Sequence, residues 1–315
     1  MTIALTFPGQ GSQSVGMGKA FFGQFKVAQD VFSEINEALG QNLSGLMFEG
    51  PEDELTLTAN AQPALMAVSL AALRVLEHEA GLDLKKHVAF VAGHSLGEYS
   101  ALAAAGSLSL ADTARLLRIR GNAMQAAVAP GIGAMAALLG LDFATATRVA
   151  LEAAQGEICQ AANDNGGGQV VVSGSKSAVE RAVELAKAQG ARRAVMLSVS
   201  APFHCALMQP AADAMANALA HISIQTPTVP LVGNVSAMAG SDPIAIRQAL
   251  VAQVTGTVRW RESVEWMAGQ GVRQFVEIGS GKVLTGLVKR IAADAEGLSV
   301  SNPDDVDVFR SQVVL

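Results

Sequence analysis

Short apolar runs alternate with longer amphipathic segments along the chain. Residues 3–7 and 88–92 are apolar runs of strand length, each followed by a glycine or a Pro-Gly pair. Residues 59–79 carry apolar positions at helical spacing, with Asn60 as the predicted N-cap and Pro63 in the predicted first turn. Strands alternating with helices in this way predict an α/β fold.

The same alternation continues further along the chain. Residues 109–128 are a predicted helix with Ser109 as N-cap, and Asp112 stands where an acidic side chain supports such a cap. After residue 200 the pattern predicts helices and one strand that belong to the same large domain. The helices are 207–220, 243–253, 260–269 and 282–292, and the strand is 273–277.

A different order of elements occupies the middle of the chain, beginning at the glycine pair near residue 131. Strands and helices follow one another there as β-α-β-β-α-β, which is typical of a ferredoxin-like fold. The predicted strands are 134–139, 158–162, 169–173 and 192–197, and the helices are 142–154 and 176–188. We therefore predict a ferredoxin-like domain, residues 129–198, inserted into an α/β-hydrolase-like catalytic domain formed by residues 1–128 and 199–315.

Composition narrows the class of protein. Of the 315 residues, 50% are hydrophobic and 16% are charged, which excludes a disordered chain. Two cysteines in so long a chain exclude a disulfide scaffold. The formal net charge of −6 makes nucleic-acid binding unexpected, and an acidic partner would need a local basic patch on this chain.

Membrane insertion and secretion are not expected either. Residues 121–141 carry no charge, but they include Asn122, Gln125, Pro130 and several glycines, which argues against a span. The N-terminus has no basic segment and only a short apolar run, unlike a signal peptide. We expect a cytoplasmic, monomeric protein. The sequence has no long apolar stripe at coiled-coil spacing, which argues only against a coiled-coil oligomer.

One motif between a predicted strand and a helix carries chemistry. Gly93-His94-Ser95-Leu96-Gly97 is a G-x-S-x-G sequence in the context of a nucleophile elbow. Such a turn exposes the serine hydroxyl at a helix N-terminus, where the Leu96 N–H can face a developing oxyanion. The alternative is an ordinary strand-to-helix turn capped by Ser95.

A serine nucleophile needs a base, and the chain offers five histidines. His204 is the best candidate, because it lies on an irregular segment just before a predicted helix. His94 lies within the elbow, where we expect its side chain to point away from the serine. No histidine has metal-ligand spacing with cysteines or carboxylates, so no metal site is expected. The glycine-rich strings near residues 9 and 279 lack the full dinucleotide or phosphate-loop patterns.

Four segments together resemble a known family. They are FPGQGSQ at residues 7–13, GHSLGEY at 93–99, RIRG at 118–121 and SAPFH at 200–204. In this order they resemble the malonyl-CoA:acyl carrier protein transacylase family, over about residues 3–290. The resemblance implies an α/β-hydrolase-like core with a ferredoxin-like insert, in agreement with the pattern of elements.

The resemblance also implies roles at matching positions. It implies that Ser95 is the nucleophile and His204 its base, and that Gln10 donors together with the Leu96 amide form the oxyanion hole. Arg120 then binds the free carboxylate of the malonyl group, as a buried carboxylate requires a partner and a guanidinium offers two donors. From the residues alone, the favoured interpretation of Arg120 is an exposed arginine in a basic run with Arg115 and Arg118.

Two further positions follow from the same family. Gln253 occupies the position whose carbonyl orients the histidine, and Phe203 is a bulky residue associated with malonyl rather than methyl-branched malonyl groups. A core phenylalanine is the alternative for Phe203. No acid follows Ser95 at an obvious third position of a hydrolase triad, and a carbonyl in that place suits an enzyme whose acyl ester must resist water.

The implied reaction is a ping-pong malonyl transfer from malonyl-CoA to the phosphopantetheine thiol of an acyl carrier protein, with no bound cofactor. Such carriers are acidic, so docking calls for basic residues on this chain. Candidates in the two domains are Lys187, Arg192, Arg193, Lys282, Lys289 and Arg290. Remaining alternatives are a serine thioesterase or hydrolase, a non-catalytic carrier-binding protein, and the acyltransferase of a polyketide or malonate decarboxylase system.

Overall fold

Two separate β-sheets organise the molecule. The computed structural model describes residues 2–313. Its strands are β1 (Ile3–Phe7), β2 (Val88–Gly93), β3 (Gly133–Leu139), β4 (Cys159–Asp164), β5 (Gln169–Ser175), β6 (Arg193–Met196), β7 (Leu231–Val232), β8 (Ala239–Gly240), β9 (Gln274–Ile278) and β10 (Glu296–Val300).

Helices cover both sheets. They are α1 (Lys19–Gln24), α2 (Lys26–Leu39), α3 (Leu43–Glu49), α4 (Glu52–Thr56), α5 (Thr58–Glu79), α6 (Leu84–His87), α7 (Gly97–Ala104), α8 (Leu110–Ala126), α9 (Phe143–Ala154), α10 (Lys176–Ala188), α11 (Gln209–Ala220), α12 (Pro243–Gln253), α13 (Trp260–Gly269), α14 (Val283–Ile291) and α15 (Asp305–Gln312). A short 3₁₀ turn, Ala206–Met208, precedes α11.

The large sheet has the strand order β10-β9-β1-β2-β7-β8. All neighbours are parallel except β7 and β8, which pair antiparallel. Phe7 at the end of β1 lies opposite Gly93 at the end of β2. The carboxyl ends of these central strands therefore meet at one edge, which is where open α/β sheets bind their ligands.

The small sheet is antiparallel, with the order β4-β5-β3-β6. Its helices α9 and α10 pack on it around a separate apolar core of small and β-branched residues. The predicted β-α-β-β-α-β order is therefore present, and the predicted fold class, a parallel α/β domain with a smaller ferredoxin-like insert, is confirmed.

Helix α5 runs through the main core, and its start differs from the prediction. The helix begins at Thr58 after Leu57, so Asn60 lies inside it and Pro63 is the sixth helical residue, beyond the first turn. Asn60 does not cap the helix, because its side-chain amide donates to the Glu54 carbonyl at 2.8 Å. The predictions for Asn60 and Pro63 are therefore wrong, because the N-cap is Leu57, which lies almost one helical turn before Asn60.

The predicted cap of α8 is present. The Ser109 hydroxyl accepts the Asp112 N–H at 3.0 Å and donates to the Asp112 carboxylate at 2.7 Å. Residues 121–141, the uncharged segment, comprise the end of α8, a turn, all of β3 and the two residues after it. Among the described residues one helix, α5, has the length and composition of a membrane span, and 89% of its apolar window is buried inside the fold.

Candidate active site

The turn between β2 and α7 holds Ser95 in a strained conformation. Its φ of 54° lies in the left-handed region, which non-glycine residues rarely adopt. Both flanking positions require glycine, because neighbouring backbone atoms lie too close to leave room for a Cβ atom. A Cβ on Gly93 would lie 1.9 Å from the Gly97 carbonyl, and one on Gly97 would lie 2.2 Å from the Phe7 carbonyl oxygen. The G-x-S-x-G sequence therefore folds as a nucleophile elbow against the end of β1.

His204 meets Ser95 across the site. Ser95 Oγ lies 2.8 Å from His204 Nε2, and His204 Nδ1 lies 2.9 Å from the main-chain oxygen of Gln253. Because a carbonyl only accepts, Nδ1 carries the proton and Nε2 is left to accept the serine hydroxyl. The structure thus brings together Ser95, His204 and the Gln253 carbonyl, as the resemblance implied, and within residues 2–313 no carboxylate contacts His204 Nδ1.

Burial sets the protonation state of His204. The side chain is almost fully buried, with 4% of its surface exposed. Burial and, to a lesser extent, the positive charge of the nearby Arg120 guanidinium lower the pKa of His204 to about 3. His204 is therefore neutral near pH 7 and able to accept a proton.

Arg120 is a buried residue of α8, unlike its neighbours in the basic run. It is 1% exposed, whereas Arg115 on the same helix is exposed. Arg120 Nη2 donates to Ser95 Oγ at 3.1 Å and to Gln253 Oε1 at 2.7 Å, and Nη1 donates to Gln62 Oε1 at 3.0 Å. The guanidinium is therefore held directly behind the serine hydroxyl.

A cavity of about 430 Å³ opens in front of Ser95 and His204. Gln10 and Phe203 form part of its wall, and Arg120 does not. The Gln10 side chain donates to Thr58 Oγ1 at 3.3 Å. In the described chain neither the Gln10 nor the Leu96 main-chain N–H donates to another protein group. Both amides are thus free to bind an incoming oxygen.

His94, which lies next to the serine, has other partners. Its Nε2 is 2.9 Å from Asn165 Oδ1, and its ring packs beside Trp260 with centroids 5.8 Å apart. Burial lowers the pKa of His94. Its side chain also lines the cavity and links the elbow to the loop after β4. The histidine that contacts Ser95 Oγ is His204.

The sequence analysis missed two buried residues beneath the elbow, Glu98 and Asn234. Asn234 Oδ1 accepts the Ser95 N–H at 2.7 Å. Glu98 Oε2 accepts the Asn234 N–H at 3.1 Å and Gln253 Nε2 at 2.8 Å. Glu98 belongs to the GHSLGEY segment and follows the elbow by one residue, so its position gave a usable signal. Asn234 lies in a loop without any recognisable pattern.

Comparison with known proteins decides the family. The acyl transferase domain family matches residues 5–302. The chain is 48% identical over 300 residues to the malonyl CoA-acyl carrier protein transacylase of Escherichia coli strain K12, covering 95% of this chain and 96% of that protein. This chain belongs to the acyl transferase family. The corresponding Bacillus subtilis transacylase is 45% identical over 307 residues, covering 97% and 95%.

Solved acyl transferase structures have the same fold. The acyl-carrier-protein-S-malonyltransferase of Bartonella henselae superposes with a TM-score of 0.96 at 59% identity, covering 100% of both chains. A malonyl-transacylase in complex with a type II polyketide synthase acyl-carrier protein superposes with a TM-score of 0.95 at 44% identity, covering 99% of both chains. The acyl transferase fold therefore extends over the whole described chain.

The six basic candidates are all exposed in this acyl transferase. Arg290 Nη1 lies 3.4 Å from Gln169 Oε1, and Gln169 lines the cavity. Lys282 is the N-cap of α14 and Lys289 lies in its last turn, and the α14 residues Val283, Leu284 and Leu287 also line the cavity. Lys187 is ion-paired with Glu184 at 2.7 Å. Three of the six cations therefore lie on α14 or next to its start, beside the cavity. No group of three or more potential metal ligands occurs among residues 2–313.

Proposed function

We propose that this chain transfers a malonyl group from malonyl-CoA to the phosphopantetheine thiol of an acyl carrier protein through a malonyl-Ser95 ester, and so supplies the extender unit for fatty acid synthesis. One observation carries the proposal. Ser95 Oγ lies within hydrogen-bond distance of both His204 Nε2 and Arg120 Nη2. A nucleophile, a base and a cation for a carboxylate are therefore within reach of one acyl group.

The first half-reaction acylates Ser95. His204 Nε2 takes the hydroxyl proton while Ser95 Oγ attacks the thioester carbonyl of malonyl-CoA. The free N–H groups of Gln10 and Leu96 supply the oxyanion hole for the tetrahedral intermediate. The carbon–sulfur bond then breaks, and His204 returns the proton to the departing CoA thiolate. Neither half-reaction requires a bound cofactor or metal.

The second half-reaction reverses these roles. His204 removes the proton of the carrier thiol, the sulfur attacks the ester carbonyl, and the proton returns to Ser95 Oγ as the malonyl thioester leaves. The neutral Gln253 carbonyl orients His204 in place of a carboxylate. We expect this weaker partner to favour attack by a thiol over attack by water.

Arg120 has to become accessible for malonyl to bind. Its Nη1 and Nη2 groups bond to Gln62, Gln253 and Ser95, and it lies outside the cavity wall. The malonyl carboxylate replaces neutral oxygen acceptors with an anion, which forms stronger charge-assisted bonds to the guanidinium. Phe203, on the cavity wall, limits the space available for a branched acyl group.

Docking of the carrier protein involves the exposed cations beside the cavity. Lys282 precedes α14 and Lys289 and Arg290 lie in its last turn, and an acidic carrier would be attracted there despite the net charge of −6. Lys187, Arg192 and Arg193 contribute from the smaller domain. We further propose a monomeric, cytoplasmic enzyme with no nucleic-acid or membrane partner, whose small domain comprises residues 129–198 inserted between 1–128 and 199–315.

Intact-protein mass spectrometry after brief mixing with malonyl-CoA tests the function. We expect a malonyl adduct on Ser95 that an acyl carrier protein discharges and buffer does not. Acetyl-CoA and the Ser95→Ala variant are the controls. An adduct lost in buffer alone would identify a thioesterase or hydrolase, and the absence of any adduct would favour a non-catalytic carrier-binding protein.

A further inference from the structure

Beneath the elbow, one carboxylate oxygen of Glu98 accepts hydrogen bonds from two residues that contact Ser95. Glu98 is fully buried, and its Oε2 accepts both the Asn234 main-chain N–H and Gln253 Nε2. Its second oxygen, Oε1, has no hydrogen-bond partner in the part of the chain that the structure describes. A buried carboxyl group is costly unless it is bonded, so this arrangement calls for an explanation.

The two donors hold both main-chain groups of Ser95. Asn234 Oδ1 accepts the Ser95 N–H at 2.7 Å, and Asn234 Nδ2 donates to the Gly93 carbonyl at 2.7 Å. Gln253 Nε2 donates to the Ser95 carbonyl at 2.9 Å. The elbow is strained and persists only when its surroundings fix it. Glu98 joins the two side chains that do so.

The same contact sets the direction of the Gln253 amide. Nε2 is directed towards two acceptors, Glu98 Oε2 and the Ser95 carbonyl, so Oε1 is the end that faces Arg120 Nη2. If Gln253 were turned over, its NH₂ group would face a guanidinium that can only donate. Glu98 therefore acts on Arg120 through Gln253.

We propose that Glu98 is a positioning residue, which fixes the Ser95 elbow through Asn234 and Gln253 and fixes Arg120 through Gln253. The part of this inference that concerns Arg120 rests on the proposed malonyl transfer. The part that concerns the conformation of Ser95 does not depend on the substrate. Burial raises the pKa of Glu98 to about 7. A proton on the unpartnered Oε1 leaves both bonds to Oε2 in place, so the network exists in either protonation state.

Three substitutions separate shape from charge. Glu98→Gln keeps an acceptor oxygen for both donors and places its NH₂ group where Oε1 has no partner. Glu98→Asp keeps the carboxylate but withdraws it by one methylene group. Glu98→Leu keeps a similar volume and removes the acceptor. Ser107→Ala is the matched control, because it removes another buried hydrogen bond, to the Gln225 carbonyl, away from the cavity.

The rate of Ser95 acylation is measured for each variant with malonyl-CoA and acetyl-CoA, together with the thermal unfolding midpoint. We expect Glu98→Gln and Ser107→Ala to stay within about 3-fold of the parent. Glu98→Asp and Glu98→Leu should lose at least about 10-fold with acetyl-CoA and a further 10-fold or more with malonyl-CoA, since only malonyl uses Arg120. If Glu98→Leu does not fold, Glu98→Asp decides.

Two results would overturn the proposal. One is a parent-like malonyl rate in folded Glu98→Asp or Glu98→Leu. The other is an equal loss with both thioesters alongside a lowered unfolding midpoint, because general loosening does not discriminate a carboxylate from a methyl group. Phenylmethylsulfonyl fluoride, which sulfonylates an activated serine, reports on the elbow separately. If the parent accepts no malonyl, the proposed function fails, and slower sulfonylation of Glu98→Leu still tests the positioning of Ser95.

Discussion

At the scale of single residues, the site depends on how Ser95 is surrounded. Its hydroxyl contacts His204 and Arg120, while its main-chain groups are held by Asn234 and Gln253. Each contact affects a different part of the reaction. The base, the cation and the backbone conformation can therefore be perturbed one at a time.

Replacement of Arg120 should change which acyl group is accepted. We expect Arg120→Ala to lower malonyl loading about 10²-fold, the loss of one or two charge-assisted hydrogen bonds, while acetyl loading is largely kept. Competition between malonyl-CoA and acetyl-CoA, read by intact mass, measures the ratio. Arg115→Ala on the same helix is the control, as that side chain is exposed. Equal loss of both activities would contradict a role in selectivity.

The pH profile of acylation should follow the buried histidine. Because burial lowers the pKa of His204 to about 3, the base stays neutral as pH falls through 6.5. We expect the initial rate with acetyl-CoA to remain within about 2-fold between pH 7 and pH 5. Acetyl-CoA is used because it has no carboxylate for Arg120. A half-loss of rate near pH 6.5 would show that His204 titrates like a solvent-exposed histidine.

The sequence allowed a role to be predicted only for residues that belong to a recognisable motif. GHSLGEY and SAPFH pointed to Ser95 and His204, and the structure brings these two side chains into contact. Asn234 was not predictable, because an asparagine in a loop shows no pattern and its function arises from contacts 139 and 141 residues away along the chain. The depth of Arg120 also depends on packing between α5 and α8, which spacing within one helix does not reveal.

At the scale of elements, the elbow is built from close approach between β1, β2 and α7. The first residues of α7 pack so tightly on the end of β1 that Gly97 has no room for a side chain. Helix-forming and strand-forming patterns predicted most other elements within one or two residues. They gave no indication of the helices between 19 and 56 or of α15, which were not assigned, and β10 was also missed because its glycine and serine interrupt the apolar run.

Added volume in the elbow should disrupt it. We expect Gly97→Ala to destabilise the protein by about 1–3 kcal/mol and to abolish measurable acylation, because a Cβ would lie 2.2 Å from the Phe7 oxygen. Gly23→Ala in α1 is the control, since nothing lies within 4 Å of its Cβ position. There we expect a gain of up to about 1 kcal/mol. Denaturant unfolding measures the free energy of unfolding of both variants. A Gly97→Ala variant as stable as the parent would disprove the close contact.

At the scale of the whole molecule, charge is distributed unevenly. The chain carries a net charge of −6, yet the exposed cations Lys282 and Lys289 lie at the start and in the last turn of α14, a helix that forms part of the cavity wall. Long-range attraction of an acidic partner would act at this face and be weak or repulsive elsewhere. The cavity is lined by β3 and β5 of the small sheet, by the segments that follow β1 and β2 of the large sheet, and by α14.

Charge reversal beside the cavity should weaken carrier docking without affecting CoA chemistry at Ser95. We expect Lys282→Glu combined with Lys289→Glu to raise the KM for an acyl carrier protein roughly 5- to 10-fold at low salt, and less at high salt. Acylation by acetyl-CoA serves as the internal reference. Lys187→Glu, where the lysine is already paired with Glu184, should have a smaller effect. A salt-independent KM in all variants would place docking elsewhere.

The free energy of unfolding should depend on pH through two groups, Glu98 and His204, whose effects have opposite signs. The pKa of Glu98 is raised to about 7 from 4.5, so its contribution is present at low pH and is lost as pH rises between these values. The pKa of His204 is lowered to about 3 from 6.5, so stability is lost as pH falls below 6.5.

Glu98→Gln removes the first titration and keeps the second. The stability of this variant relative to the parent should therefore increase by roughly 2–3 kcal/mol between pH 5 and pH 8, in urea unfolding. A constant difference across this range would mean that Glu98 has an ordinary pKa in the folded protein.

The acceptor that orients His204 is a main-chain carbonyl, and this has a consequence for genetics. Every amino acid has that oxygen, so no codon change at position 253 deletes it. A saturation library at this position would report only on the amide side chain, whose Oε1 faces Arg120. An engineer who wishes to convert this transferase into a hydrolase cannot simply substitute a carboxylate there; the end of α12 would have to be rebuilt so that a side chain replaces the backbone.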